Sequence, residues 1–142
     1  MRAWTFPFFN LDGKMIGTQG ILWDISVEEE LRNTNHYLDV LLQNVPDSIY
    51  FKDLKSRFVR ASDNKGRRMG YKTGVDLIGK RDKDLFAENH WKQALKVEEE
   101  VLTTRESRHL IELEEFLDGR RFYVMTTKMP FFDSTNKLVG TF

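Results

Sequence analysis

The sequence predicts an α+β fold built on antiparallel strands. Three observations carry this: paired apolar segments separated by short polar turns, a stretch of helix-capping residues between them, and one long amphipathic helix ahead of the last strands. A length of 142 residues suits one domain with little left over. With 40% hydrophobic and 31% charged residues the chain has the composition of an ordinary globular protein. Its 22 Lys plus Arg balance 22 Asp plus Glu, so the clustered basic excess of a nucleic-acid binder is missing and no nucleic acid is expected as a partner. No apolar run approaches roughly 18 residues, and Met1-Arg2-Ala3-Trp4 does not open a signal peptide, so a cytoplasmic location without membrane contact is expected. The absence of cysteine excludes disulfides, thiol catalysis, cysteine-bound zinc, thioether-linked haem and a cysteinyl flavin adduct.

The chain repeats itself. Residues 6–18, from Phe6-Pro7-Phe8-Phe9 to Gly17-Thr18, align without gaps on residues 129–141, from Met129-Pro130-Phe131-Phe132 to Gly140-Thr141, with six of thirteen positions identical. Each copy reads as strand, turn, strand. The chain is therefore expected to begin inside the last hairpin of one domain and to end inside the same hairpin of the next. Three pieces follow: residues 1–26 as a remnant of an upstream domain, a helix over 27–45, and a domain over 46–142 whose last strand is cut short and leaves an edge unpaired. The strand from Met15 to Trp23 is expected to pair along a sheet edge.

The helix over 27–45 rests on Val27, Leu31, Thr34, Leu38, Leu41 and Val45, which recur at the 4-3 spacing of a coiled-coil seam, and on Glu28 to Glu30 at its N-terminus. That stripe serves a dimer seam or a face packed on its own domain equally well. Pro46 ends it. Residues 48–52 and 57–61 read as strands across the turn Asp53-Leu54-Lys55-Ser56. Ser62 suits an N-cap and Gly70 a C-cap for a short helix, Gly79 closes a second, and 82–86 makes one turn. A longer helix runs from about Glu88 to Thr103, with Trp91, Ala94, Leu95, Val97, Val101 and Leu102 as its apolar stripe. Its Glu98-Glu99-Glu100 run reads as solvated. Strands 109–117 and 120–132 flank the hairpin signal Asp118-Gly119, and a strand begins at Lys137.

Several motifs in this order resemble the PAS sensory family. Asn44-Val45-Pro46-Asp47-Ser48-Ile49 is similar to its opening N-x-P-D-x-I, Met69-Gly70-Tyr71 to the L-G-Y that closes its first helix, and Asp76-Leu77-Ile78-Gly79-Lys80 to its E-L-I-G-K. Asp118-Gly119-Arg120-Arg121 matches the penultimate hairpin. Asp24-Ile25-Ser26 resembles the Asp-Ile-Thr from which such domains pass into a signalling helix. The resemblance implies a five-stranded antiparallel sheet with the short helices and the long helix on one face around a small pocket. It also implies a non-catalytic sensor in a bacterial histidine kinase, cyclic-dinucleotide enzyme or transcription regulator, beside a neighbouring PAS copy and a C-terminal output domain. Ligand binding would be relayed through a homodimer seam on Leu31, Leu38, Leu41 and Val45. The alternative is a ligand-free dimerisation spacer.

Within that resemblance, the position that carries a haem-binding histidine on the long helix falls on Ala94, with His90 one turn earlier and half-exposed. Haem and non-covalent flavin are set aside, and His36, His90 and His109 are too scattered for a metal site. Asp82 and Asp84 would diverge in a short turn, and no serine has an adjacent base, so no catalytic residue is assigned. The ligand expected is a small anion or other organic molecule. Lys65 and Arg68 stand where the family is commonly apolar, which gives either a solvated basic face or an inward Arg68 needing a ligand carboxylate or a partner such as Asp82 or Asp84. Strand alternation puts Tyr123, Met125 and Thr127 on one face and Phe122, Val124 and Thr126 on the other. The first set would offer two hydroxyls to a ligand, with Met125 lining the pocket or packing in the core.

Overall fold

Strand, helix and turn signals materialise where the sequence puts them, in a computed structural model that describes residues 2–23 and 25–142. Asp24 of the exit motif lies outside the described residues. Two compact units separate, Met1–Val40 and Leu41–Phe142. In the first, β1 (Arg2–Phe9) pairs antiparallel with β2 (Met15–Trp23), so β2 finds its partner in the adjacent strand. Helix α1 (Ser26–Asn44) begins there and crosses the boundary, with Glu28 and Glu29 in its first turn, where the helix dipole favours them. Ile25 is buried. Along the expected seam Val27, Leu31 and Leu41 are exposed and Leu38 and Val45 half-buried; the buried residue is Leu42, one position off the stripe.

The second unit opens with β3 (Tyr50–Asp53) and β4 (Phe58–Ala61). Their turn does without glycine because the Asp53 carboxylate accepts from the backbone of Lys55 and Arg57, at 2.9 and 3.0 Å, while Ser56 takes φ 56°. Helix α2 (Asp63–Arg68) is capped by Ser62, whose Oγ accepts from the Lys65 amide at 3.3 Å and donates to Asp47 O at 2.9 Å. Gly66 is required by contact, since a Cβ there would stand 2.1 Å from Thr73 O. Two 3-10 turns follow, Gly74–Leu77 and Asp82–Asp84, and then α3 (Glu88–Thr104), which ends on a left-handed Arg105.

Strands β5 (Arg108–Glu115), β6 (Arg121–Lys128), β7 (Pro130–Phe132) and β8 (Leu138–Thr141) complete the unit. A four-stranded sheet runs β4-β3-β8-β7, and β5 with β6 forms a two-stranded ribbon. Only Met129 separates β6 from β7, and it exchanges two backbone hydrogen bonds with Phe142, at 2.8 and 2.9 Å. The five expected strands are thus present, the fourth interrupted at Met129. Phe58, Ala61, Met69, Leu77, Leu85, Phe86 and Phe116 form the apolar core, with Tyr50, Tyr71 and Trp91 against it.

The sequence repeat is also a repeat of register. Phe6, Pro7, Phe8 and Phe9 pair with Gln19, Thr18, Gly17 and Met15, with a bulge between Phe8 and Phe9. Met129, Pro130, Phe131 and Phe132 pair with Phe142, Thr141, Gly140 and Leu138, with the bulge at the equivalent step. Both turns are closed the same way: Asn10 Oδ1 accepts from Asp12 and Lys14, and Asp133 Oδ1 from Thr135 and Lys137. Gly13 and Asn136 take the left-handed position, which glycine and asparagine tolerate best.

Candidate functional site

The β5-β6 ribbon is built inside out. On β5 the buried side chains are Glu112 and Glu114, with Phe116 buried just past its end, while Ile111 and Leu113 face solvent. Their cross-strand partners follow suit: Tyr123 opposite Leu113 is 79% exposed and Met125 opposite Ile111 is 86% exposed. Lys128 at the end of β6 is buried, as is Lys52 on β3. Apolar alternation alone would have turned these strands over. What holds them this way round is that each buried carboxylate meets a lysine or arginine sent in from another element, with one exception.

Lys52 is the hub. Its Nζ lies 2.6 Å from Asp82 Oδ2 and 2.6 Å from Glu98 Oε1, with only 1% of the side chain exposed. It also stands 4.7 Å from the centroid of the Phe58 ring, a cation–π distance. Burial alone would lower the Lys52 ammonium, but the charges and hydrogen bonds of Asp82 and Glu98 outweigh it and hold it above its ordinary value. Burial alone would likewise raise Asp82, and Lys52, backed by Lys65 and Lys128, holds it below the ordinary carboxylate range. Lys128 joins from the far side, donating to Ala94 O at 3.3 Å and standing 3.9 Å from Glu98.

The second cluster sits at the mouth. Glu114 receives Lys65 Nζ on one oxygen at 3.3 Å and Arg68 Nη2 on the other at 2.7 Å. Burial is the larger influence on Lys65 and lowers its ammonium, the attraction of Glu114 and Asp82 offsetting it only in part. Tyr50 lies beneath, its ring 4.9 Å from Lys65 Nζ; burial first, then Asp82, Glu98, Glu112 and Glu114, push its hydroxyl well above the usual tyrosine value. These groups face a cleft of about 710 Å³, whose walls include Ser48, Tyr50, Asn64, Lys65, Arg68 and Glu114. The exception is Glu112: it is 6% exposed, and its Oε2 has no hydrogen-bond partner among the described residues.

The five residues expected at a ligand, Lys65, Arg68, Tyr123, Met125 and Thr127, all border this cleft, whereas sequence reasoning missed the buried carboxylates and Lys52. Lys65 is buried rather than on a solvated face, and Arg68 does turn toward a carboxylate, but the partner is Glu114 and neither Asp82 nor Asp84. Asp82 and Asp84 diverge as expected, the first to Lys52 and the second to the Arg81 amide. Tyr123, Met125 and Thr127 line the cleft but are exposed; Thr127 Oγ1 meets His109 Nδ1 at 2.9 Å, and Met125 packs in no core. Glu98, read as solvated, is 1% exposed, because positions 90, 94, 98 and 101 form the buried face of α3. The available signal was a set of isolated lysines at apolar positions, Lys52 after Ile49-Tyr50-Phe51 and Lys128 before Met129.

His90, expected half-exposed, is buried with Nδ1 3.1 Å from Leu113 O and its ring centroid 4.4 Å from that of Phe86, and the register position for a haem ligand is Ala94.

Comparison with known proteins bears on this geometry. The family model described as PAS fold matches residues 42–142. The chain belongs to the PAS family. Among solved structures, the Vibrio cholerae protein VqmA in complex with ligand and DNA matches at TM-score 0.66 and 27% identity, over 75% of this chain and 47% of VqmA. VqmA has also been solved bound to DPO. The PAS domain of Bordetella pertussis BvgS matches at TM-score 0.55 and 26% identity, over 80% of this chain and 84% of that domain. A Colwellia psychrerythraea PAS domain, 14% identical at TM-score 0.62, shares the fold. A search of curated proteins by sequence gave no match. The present PAS chain spans about half the length of VqmA.

The exclusion of nucleic acid does not stand, because VqmA, which this PAS chain resembles, is a DNA-binding receptor solved with DNA. The physical reason is that charge balance averaged over 142 residues describes these residues and carries no information about partners engaged elsewhere in a longer protein. The PAS fold itself is a sensory domain of signalling proteins. Among the described residues, no helix is long and apolar enough to cross a membrane.

Proposed function

We propose that residues 41–142 are a non-catalytic, ligand-binding sensor module of a larger signalling protein, and that a small molecule enters the cleft between the β5-β6 ribbon and helix α2. The observation that carries this reading is the inverted β5-β6 ribbon: a chain that only needed a stable core would bury Ile111 and Leu113, whereas this one buries Glu114 against Lys65 and Arg68 and Glu112 with its Oε2 unpartnered among the described residues. Buried ion pairs add little net stability over apolar packing, so an interior lined with them points to recognition. The reading involves no cofactor. A transcription regulator is the host that the likeness to VqmA favours. The shared register of the two hairpins supports a second PAS copy ahead of α1. A ligand-free relay spacer is the second reading, favoured by the completeness of the Lys52, Asp82 and Glu98 cluster without any guest.

Mass spectrometry of small molecules released on denaturing the purified protein, with a melting screen against a library of small metabolites, separates the two. The sensor reading expects a compound released in near-stoichiometric amount, or library members that raise the melting temperature by several degrees through binding to the native state. No released compound and no shift across the library would favour the spacer.

A further inference from the structure

We propose that this interior selects a small molecule that is neutral overall but dipolar, presenting a hydrogen-bond acceptor to Lys65 and Arg68 and an N–H donor to Glu112. The proposal rests on the ligand-site reading above and adds the chemistry of the ligand.

Counted formally, four cations, Lys52, Lys65, Arg68 and Lys128, face four carboxylates, Asp82, Glu98, Glu112 and Glu114. The interior is therefore balanced before any ligand arrives. A guest with net charge would bring an uncompensated ion into a low-dielectric space, which is costly. The balance is global, however, and fails locally. At the Lys52 end, one ammonium is flanked by Asp82 and Glu98, with Lys128 beyond Glu98. At the mouth, Lys65 and Arg68 share the single carboxylate of Glu114, one oxygen each, so this corner is short of an acceptor. Glu112 is short of a donor.

These two poles lie close together. Glu112 and Glu114 are two residues apart on one face of β5, roughly 7 Å along the strand. Glu112 stands directly across from Val124, which lines the cleft with Tyr50, Lys65, Arg68 and Glu114. A ligand that satisfies both poles carries its acceptor and its N–H a few ångströms apart, the dimensions of an amino acid or a small cyclic amide. Tyr50 also lines the cleft. A simple carboxylate fills one pole and leaves Glu112 as it is. A simple ammonium fills the other and leaves Lys65 and Arg68 sharing one carboxylate.

Calorimetric titration of the full chain with size-matched probes tests this: glycine, alanine and 2-pyrrolidone as dipolar solutes, acetate and propionate as anions, methylammonium and ethylammonium as cations. A dipolar probe is expected to bind at least tenfold more tightly than either charged analogue. Glu112→Gln should lower that affinity about tenfold or more, as loss of a charge-assisted hydrogen bond does, and Lys65→Met should abolish it, with circular dichroism and melting used to verify folding. A charged probe that binds as tightly as the dipolar ones, or an affinity unchanged in Glu112→Gln, overturns the proposal. If none of these probes binds, or only uncharged apolar compounds bind or are released from the protein, this inference falls while the sensor reading stands; if in addition nothing is released and no library member shifts the melt, the sensor reading falls with it.

Discussion

Lys52→Met is the most informative single substitution, because the structure fixes what it leaves behind. Methionine fills most of the lysine's volume, so cavity formation is minor and the effect is electrostatic. Removing one partner of a buried ion pair costs about 3–5 kcal/mol. Here two carboxylates lose their cation, but each retains some relief: Lys128 stays 3.9 Å from Glu98, and the Asp82 side chain, 13% exposed, reaches water. The low end, about 3 kcal/mol, is therefore expected. In a domain of about 100 residues, at 4–8 °C per kcal/mol, the melting temperature should fall by about 12–24 °C. Lys65→Met provides the comparison in the same calorimetric or dichroism melt. Glu114 keeps Arg68 at 2.7 Å after that change, and the buried ammonium that burial disfavours is gone, so the loss should stay within about 1 kcal/mol. Equal losses in the two variants, or a Lys52→Met melt within a few degrees of the parent, would refute this assignment of the network.

Three further outcomes follow from the same structure. Asp82 is held below its ordinary 3.8, so the unfolded chain binds that proton more readily; its stabilising contribution is present above pH 3.8 and lost as pH falls through the folded value. Lys52 is held above 10.5, so its contribution is complete below pH 10.5 and lost as pH rises through the folded value, and urea midpoints measured against pH should decline at both ends. Gly66→Ala should cost roughly 2–3 kcal/mol by overpacking against Thr73, whereas Gly70→Ala, at φ 85° with open space around it, should cost only about 1–2 kcal/mol in the same melts. Residues 41–142, expressed alone, should melt cooperatively within a few degrees of the full chain, since they form a compact unit of their own.

Much of the fold was legible because local chemistry and tertiary structure agree. Ser62 caps α2, Gly70 follows its end, Asp118-Gly119 turns the ribbon, and Pro46 closes the α1 stripe; each acts through its own backbone, so each can be read in isolation. The repeat was legible for the same reason, since the Asx turns at Asn10 and Asp133 are local hydrogen-bond patterns. The site was mostly hidden because its logic is pairwise and long-range. Glu114 looks like the wet side of a strand until Lys65 and Arg68, nearly fifty residues away, are seen to face it, and Glu98 looks solvated until Lys52 does. Alternation identifies two faces of a strand and cannot say which one is inside when the inside is charged. The place where the usual rule fails is the site itself.

The absence of cysteine permits a direct test of that inversion. Single substitutions Ile111→Cys, Glu112→Cys, Leu113→Cys, Glu114→Cys, Tyr123→Cys and Met125→Cys, each probed by the rate of maleimide labelling under native conditions, report which side of the ribbon meets water. The account predicts fast labelling at 111, 113, 123 and 125 and slow labelling at 112 and 114. Fast labelling at 112 and 114 with protection at 111 and 113 would mean that the sheet buries its apolar face, and there would be no charged interior for a ligand to enter.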